Sequence, residues 1–311
     1  MEHTIQQFYL PSKVDGLQLS VMTVLPVKSP VGVMQISHGM CDHKERYLPF
    51  LTFLAEQGYA CIIHDHRGHG GSVIDAQDLG YFYQAGKNGL IADLALVGTH
   101  MRKQYPTLPF YLLGHSMGSF IARAYLKKLD YTLDGLILTG CPVYVPGCKT
   151  GLAIIAALKA CKGGRAHSKL LDRLTKYPDR GAFAYESSPN AWVCSDPDIL
   201  EVYDHDPLTQ FTFTLNGYQA LLQLMDMVYS EKGWRVSRPE LPILFLSGAE
   251  DPCLGSPKRL LQAATLLQRA GYRNVACQIY PGMRHEVLNE VEKWSVWQDV
   301  LDALTCWRAQ N

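Results

Sequence analysis

The sequence predicts an α/β fold in which helices flank a mostly parallel sheet and a helical cap interrupts the core. Short apolar runs of strand length alternate with longer segments of helical apolar spacing over residues 31–140 and again over 241–307. Between them, residues 141–240 hold short helical segments broken by Pro, Gly and Asp, with few strand-like runs. We therefore predict a core formed by residues 1–140 and 241–311 and a cap formed by residues 141–240.

The strands begin with an antiparallel hairpin, because Ile5 to Leu10 and Leu17 to Leu25 flank a turn at Asp15-Gly16. Buried-looking strands follow at Val31–Ser37, Tyr59–Ile63, Phe110–Leu113, Gly135–Thr139 (within Leu133–Gly140), Leu241–Ser247 and Val275–Tyr280. Helices are predicted over Arg46–Gln57, Leu90–Tyr105, the segment from Phe120 onward, Lys258–Ala270 and Val291–Trp307. Strands that alternate with helices in this way form a parallel sheet.

Composition excludes several classes of function. Lys plus Arg equal Asp plus Glu at 29 each, so no net charge attracts nucleic acid or an anionic membrane. The nine cysteines are odd in number, scattered and never spaced C-x-x-C, which favours a reducing compartment over a disulfide framework or a zinc site. No metal or cofactor is expected.

The chain carries no predicted membrane span. Its first residues lack the basic and apolar regions of a signal peptide, and no apolar run approaches ~18 residues, so we predict a cytoplasmic protein without stable membrane insertion. Gly151 to Cys161 is apolar nearly all round. It is interpreted as a buried helix, as a lid over an apolar pocket, or as a segment that contacts lipid transiently.

Gly114-His115-Ser116-Met117-Gly118 lies between a predicted strand and a predicted helix. This G-x-S-x-G pattern is the nucleophile elbow, in which the serine occupies a strained turn and flanking glycines avoid steric clashes. The pattern predicts that Ser116 is a nucleophile.

A nucleophilic serine needs a base and a carboxylate to orient that base, in the chain order Ser, Asp or Glu, His. Asp251 follows the strand that ends near Ser247, although the adjacent Glu250 is an alternative. His285 is the only histidine after Asp251, so the order selects it. For the oxyanion, we predict the backbone N–H groups of Met117 and of Met40.

His64-Asp65-His66-Arg67-Gly68-His69 is compatible with a metal site by composition only. Its spacing does not place the histidines on one face and no H-E-x-x-H accompanies it. We predict a structural loop, in which Asp65 pairs with Arg67 and the glycines allow the bend.

Six segments resemble the monoglyceride lipase and lysophospholipase group of α/β-hydrolases, within the serine aminopeptidase-like (S33) set. They are His38–Tyr47, Asp65–Ser72, Gly114–Gly118, Asp206–Leu208, Gly248–Asp251 and Arg284–Glu286. The resemblance covers essentially the whole chain. It implies the α/β-hydrolase fold, with about eight strands and a helical cap after the sixth.

The resemblance also implies site residues. The triad would be Ser116, Asp251 and His285, with the oxyanion amides of Met40 and Met117. Asp42 and Arg46 match an acid and an arginine that lie near the substrate's glycerol head group, where Asp replaces the usual Glu. Gly39 and His115 are further candidates for substrate contact.

The predicted function is hydrolysis of carboxylic esters through an acyl-enzyme, on a small substrate with an apolar acyl chain. An aminopeptidase, amidase or thioesterase with the same triad is an alternative, and an acidic cap residue that grips an amine would favour the aminopeptidase. Candidates for that residue are Asp172, Asp179, Glu186, Asp196, Asp198, Glu201, Asp204 and Asp206. A non-catalytic lipid-binding protein on the same scaffold is the alternative from another class.

Overall fold

A computed structural model describes residues 3–175, 183 and 185–310 of the protein. Eight strands form one sheet in the order β1-β2-β4-β3-β5-β6-β7-β8. The strands are β1 His3–Pro11, β2 Gln18–Pro26, β3 Gly32–Ser37, β4 Tyr59–His64, β5 Phe110–His115, β6 Gly135–Thr139, β7 Ile243–Gly248 and β8 Val275–Tyr280. β2 pairs antiparallel with both β1 and β4, whereas all pairs from β4 to β8 are parallel. The predicted edge hairpin and the predicted parallel sheet are both confirmed.

Helices cover both faces of this sheet. They are α1 Leu48–Glu56, α2 Gly86–Gln104, α3 Met117–Leu129, α4 Cys148–Lys162, α5 Lys169–Thr175, α6 Pro197–His205, α7 Leu215–Tyr229, α8 Pro257–Ala270 and α9 Lys293–Gln310. Buried residues of α2, α3 and α8 form one apolar core with one face of the sheet, and those of α1 and α9 form a second core with the other face. Because both faces are covered, the central strands β3 to β6 are buried along their whole length.

Two helices differ from the predicted ranges at their first turns. The predicted helix over Arg46–Gln57 begins as a 3₁₀ turn at Lys44–Tyr47, and α1 then starts at Leu48 with Pro49 in its first turn, where a proline loses no intrahelical hydrogen bond. Helix α2 starts at Gly86, ahead of the apolar periodicity that begins at Leu90, because its first turn is mostly polar.

Helices α4 to α7 lie between β6 and β7, which is the chain segment predicted to form the cap. The division into core and cap at residues 140 and 240 stays a prediction. The interpretation of Gly151–Cys161 as a buried helix was wrong. Only Cys148 and Ile155 of α4 are buried, so Ile155 is the one buried residue within that segment, and Ile154 is 51% exposed. Among the described residues, no helix has the length and apolar character needed to cross a bilayer.

Candidate active site

Ser116 lies at the turn between β5 and α3 in a backbone conformation that side-chain-bearing residues rarely adopt, with φ 51° and ψ −118°. Glycine is required on both sides of it. A Cβ on Gly114 would lie 2.6 Å from the carbonyl oxygen of Gly118, and a Cβ on Gly118 would lie 1.9 Å from the carbonyl oxygen of Ser37. The elbow geometry predicted from G-x-S-x-G is therefore present.

The predicted triad side chains meet at the carboxyl ends of their strands. His285 Nε2 lies 2.9 Å from Ser116 Oγ, and His285 Nδ1 lies 2.9 Å from Asp251 Oδ2. Asp251 also accepts a hydrogen bond from the Cys253 amide at 2.8 Å. Glu250, the alternative acid, is exposed, so Asp251 is the carboxylate that faces the ring.

This environment changes the proton affinity of His285. Burial by itself would lower its pKa, but the carboxylate of Asp251 and the nearby thiol of Cys253 raise the pKa well above the ordinary histidine value. A raised pKa makes the imidazole a stronger acceptor for the Ser116 proton.

The two predicted oxyanion donors flank the serine. Met117 is the first residue of α3, where backbone N–H groups have no intrahelical acceptor, and the loop that carries Met40 contacts the elbow through Gly39. Within residues 3–175, 183 and 185–310, the amides of Met40 and Met117 donate to no acceptor. Their use by an oxyanion stays a prediction.

His115 lies beside the base, with its ring centroid 4.9 Å from that of His285. Burial, together with the neighbouring His285, lowers the pKa of His115 to about 4, and its Nδ1 lies 3.1 Å from Thr139 Oγ1. His115 is therefore neutral near pH 7, so only one of the two neighbouring rings takes up a proton when the base works.

Asp42 and Arg46, predicted to contact a head group, have partners within the protein. Asp42 Oδ2 accepts from the Gly39 amide at 3.2 Å and from the Tyr47 hydroxyl at 2.8 Å, and its Oδ1 accepts from Arg46 at 2.9 Å. Arg46 also forms a two-pronged ion pair with Glu286, at 2.8 and 2.5 Å. Contact of Asp42, Arg46, Gly39 or His115 with substrate stays a prediction.

These contacts form a cluster that we call the loop clamp: Asp42, Arg46 and Glu286. It joins the loop that holds the Met40 amide to the residue that follows His285. The Arg46 guanidinium also lies 4.6 Å from the centroid of the Tyr203 ring on α6, so the clamp reaches the segment predicted to form the cap. Arg284-His285-Glu286 is one of the segments that carry the resemblance. The pairing of Glu286 with Arg46 joins residues 240 apart in the chain, so no local sequence pattern predicts it.

A segment of the cap region packs directly on the base. The Trp192 ring lies 5.1 Å from the His285 ring, centroid to centroid. Flanking residues hold this segment in place: Arg284 donates to the carbonyl oxygens of Ala191 and Cys194 at 2.5 and 3.0 Å, and Glu290 accepts from the Ser195 amide at 3.0 Å. Sequence reasoning missed Trp192, because a lone tryptophan in an irregular segment gives no periodic signal.

The loop after β4 has a structural role, but its predicted ion pair was wrong. Asp65 binds Lys44 Nζ at 2.8 Å, and Arg67 binds Asp93 and Asp15, each at 2.8 Å. The two residues are buried on different sides of the loop, so each finds a partner from another segment. Gly68 and Gly70 have φ of +74° and +46°, which the predicted bend requires.

The family model described as "Serine aminopeptidase, S33" (Hydrolase_4) matches residues 28–292. The chain belongs to this family. Its fold is the α/β-hydrolase fold, with a carboxyl esterase from Bacillus coagulans aligning over 98% of this chain and 99% of its own at a TM-score of 0.89 and 26% identity.

Curated relatives match over nearly the full length of the chain. The monoacylglycerol lipase of Mycolicibacterium smegmatis is 28% identical over 301 residues, covering 94% of each chain. Human monoglyceride lipase is 25% identical over 300 residues, covering 96% of this chain and 88% of its own. Two relatives of this S33-family α/β-hydrolase that match over nearly its full length are therefore named as lipases.

Proposed function

We propose that this α/β-hydrolase is a serine hydrolase that cleaves carboxylic esters through an acyl-enzyme. The observation that carries the proposal is the continuous chain from Asp251 through His285 to Ser116, with 2.9 Å at each step. A hydroxyl, an imidazole and a carboxylate in this order supply a nucleophile, a general base and a group that orients the base.

In the first half-reaction, His285 Nε2 takes the proton of Ser116 as Oγ attacks the ester carbonyl. Asp251 keeps the ring proton on Nδ1 and stabilises the imidazolium that forms. The Met40 and Met117 amides donate to the oxyanion, and the collapse of the tetrahedral intermediate releases the alcohol, which His285 protonates. Water then attacks the acyl-enzyme by the same steps and regenerates Ser116.

The substrates that we propose are small lipid esters of the monoacylglycerol or lysophospholipid type. Two full-length relatives carry the names monoacylglycerol lipase and monoglyceride lipase, which supports an ester of a long acyl chain and a polar alcohol. Met40 is only partly buried and its flexible thioether would suit an apolar acyl chain, whereas Met117 is buried in the core.

Partners already assigned to several cap acids weigh against the aminopeptidase alternative. Glu186 pairs with Arg284, Asp204 accepts from Asn190 at 2.6 Å, and Asp206 binds His43 at 2.8 Å. Tyr218 donates to Asp172 at 2.7 Å, and Asp196 caps α6. Asp198 and Glu201 are exposed. Asp179 lies outside the described residues. At the five acids that have partners, a free amine of a substrate would have to displace one of them.

Transient contact with lipid is proposed for the exposed side of α4. Ala153, Ile154, Ala156 and Ala157 are exposed there, with Lys149 and Lys162 close by in the helix. An exposed apolar stripe flanked by lysines suits the interface of a lipid aggregate that contains the substrate. Ile154→Ser should weaken sedimentation with monoacylglycerol-containing vesicles, whereas Ser295→Ala on α9 serves as the control.

Ser116→Ala tests the reaction itself. We expect it to abolish turnover of p-nitrophenyl esters and labelling by a fluorophosphonate probe, because no other group replaces the nucleophile. Activity that survives this change would refute the assignment. Native protein that binds lipid but neither reacts with the probe nor turns over any ester would support a non-catalytic binding protein instead.

Substrate class is tested by comparing kcat/KM for monoacylglycerols with that for proline-β-naphthylamide and for an acyl thioester. The proposal expects the monoacylglycerols to be strongly preferred. A preference for the amide would support an aminopeptidase.

A further inference from the structure

We propose that a thiophilic divalent cation, of which Zn²⁺ is the type, binds across Asp251, Cys253 and His285 and reversibly switches the enzyme off. One donor atom from each of these three residues lies within 4.8 Å of the other two. The inference rests on the proposed role of His285 as the base. No step of the proposed reaction uses the Cys253 thiol as a nucleophile, an acid or a base.

The donor set suits zinc. A thiolate, an imidazole nitrogen and a carboxylate oxygen are the three ligand types that Zn²⁺ prefers. Asp251 and His285 are buried, at 4% and 3% exposed, whereas Cys253 is only partly buried. Burial raises the pKa of the Cys253 thiol, so the cation must displace the thiol proton to solvent as the thiolate binds it.

Small movements complete the site. Bond lengths of ~2.0 Å to N and O and ~2.3 Å to S, at tetrahedral angles, require donor separations of ~3.3 Å between N and O and ~3.5 Å from S to either. His285 Nδ1 and Asp251 Oδ2 are 2.9 Å apart, so they must separate by ~0.4 Å. The sulfur lies at most 4.8 Å from each, so it must approach by no more than ~1.3 Å, which a side-chain rotation of Cys253 supplies.

Occupation of this site disables the base by reversing its tautomer. In the resting protein, Nδ1–H donates to Asp251 and Nε2 is free to accept the Ser116 proton. A cation on Nδ1 takes that lone pair, displaces the Nδ1 proton and leaves the neutral ring with its proton on Nε2. Nε2 then donates to Ser116 Oγ and cannot accept from it, so inhibition should be strong and should reverse with a chelator.

The functional test is a Zn²⁺ titration of p-nitrophenyl butyrate hydrolysis, with EDTA added afterwards, in native protein, Cys253→Ala and Cys277→Ala. Each protein is compared with its own metal-free rate. Cys277 is the matched control, because it is also partly buried but lies on β8. Mutation of a residue that only hydrogen-bonds a metal ligand typically lowers metal affinity ~10–100-fold. Cys253→Ala removes a ligand itself, so it should raise the half-inhibitory Zn²⁺ concentration by at least that factor. Cys277→Ala should behave as the native protein does.

A second measurement separates metal binding from catalysis. Ser116→Ala protein keeps all three ligands and has no turnover, so its absorption spectrum with Co²⁺ reports the site alone. A thiolate-to-cobalt charge-transfer band should appear in Ser116→Ala and be absent from Ser116→Ala/Cys253→Ala. An unchanged half-inhibitory concentration in Cys253→Ala, or no such band in Ser116→Ala, would overturn the inference. Failure of the esterase proposal would instead appear as metal-free protein without activity that still gives the band.

Discussion

Arg46→Met removes the cation of the loop clamp and leaves two carboxylates without their partner. Arg46, Asp42 and Glu286 have side chains that are only 11%, 3% and 8% exposed, so water cannot replace the lost ion pairs. Burial by itself would raise the pKa of Glu286, but the charge and hydrogen bonds of Arg46 lower this pKa by more, so the pKa lies below the ordinary glutamate value. The native clamp therefore depends on Arg46 to keep both acids charged.

The expected loss of stability follows from the burial of these charges. Removing one partner of a buried ion pair costs about 3–5 kcal/mol. An unfolding entropy of ~2.1 cal/mol/K per residue gives ~0.65 kcal/mol/K for 311 residues, so Tm should fall by about 5–8 °C. Methionine keeps much of the stem volume of arginine, so a cavity contributes little to this difference.

An exposed ion pair of the same chain provides the control. Arg273 and Glu240 pair at 2.8 Å with side chains 74% and 70% exposed. Such a pair contributes about 0–1 kcal/mol, so Arg273→Met should lower Tm by less than ~1.5 °C.

The assay is calorimetric unfolding of both variants, combined with kcat/KM on a p-nitrophenyl ester. Arg46→Met should also lower kcat, since Asp42 holds the Gly39 amide beside the Met40 donor. Adding Glu286→Leu should recover part of the Tm, because one uncompensated charge is removed. The reasoning is refuted if Arg46→Met lowers Tm no more than Arg273→Met does, or if the double variant is less stable than Arg46→Met.

Three further predictions follow from the site. Asp251→Asn should lower kcat about 10⁴-fold, because the variant favours the wrong tautomer of His285. Since Asp251 raises the pKa of His285, the acid limb of the plot of kcat/KM against pH should lie above pH 6.5 in native protein and at lower pH in the variant. An acid limb at the same pH in both proteins would contradict this. Gly118→Ala should prevent folding or abolish activity, because the new Cβ meets a carbonyl oxygen at 1.9 Å. Gly151→Ala in α4 is the control and should be tolerated, because the nearest contact of its Cβ is at 3.2 Å. Circular dichroism and the ester assay check both variants. Burial lowers the pKa of His64 to about 3, so the folded state favours the neutral ring. The folded state therefore loses stability as pH falls below ~6.5, by about 2 kcal/mol at pH 5. Urea unfolding at pH 7 and pH 5 should show a smaller loss of stability in His64→Leu than in native protein.

Local sequence patterns determined the parts of this protein that depend on near neighbours. Apolar patterning predicts every strand of the sheet to within a few residues, and for the central strands β3 to β6 the reason is that burial on both faces demands continuous apolar runs. The two glycines of the elbow predict the strained serine, although only the clash avoided at Gly114 lies within five residues of chain, whereas the clash avoided at Gly118 is with Ser37 on β3. Chain order then selected Asp251 and His285, which the structure brings to the same edge of the sheet.

Only the tertiary structure decided the groups that surround these side chains. Trp192 lies against His285, Glu286 pairs with Arg46 across 240 residues, and Cys253 approaches both Asp251 and His285. Likewise, the sequence offered Arg67 as a neighbour for Asp65, and the fold supplied Lys44 instead. Charged and aromatic side chains take whichever partner shares their buried space, and that space is set by the packing of distant segments, not by spacing along the chain.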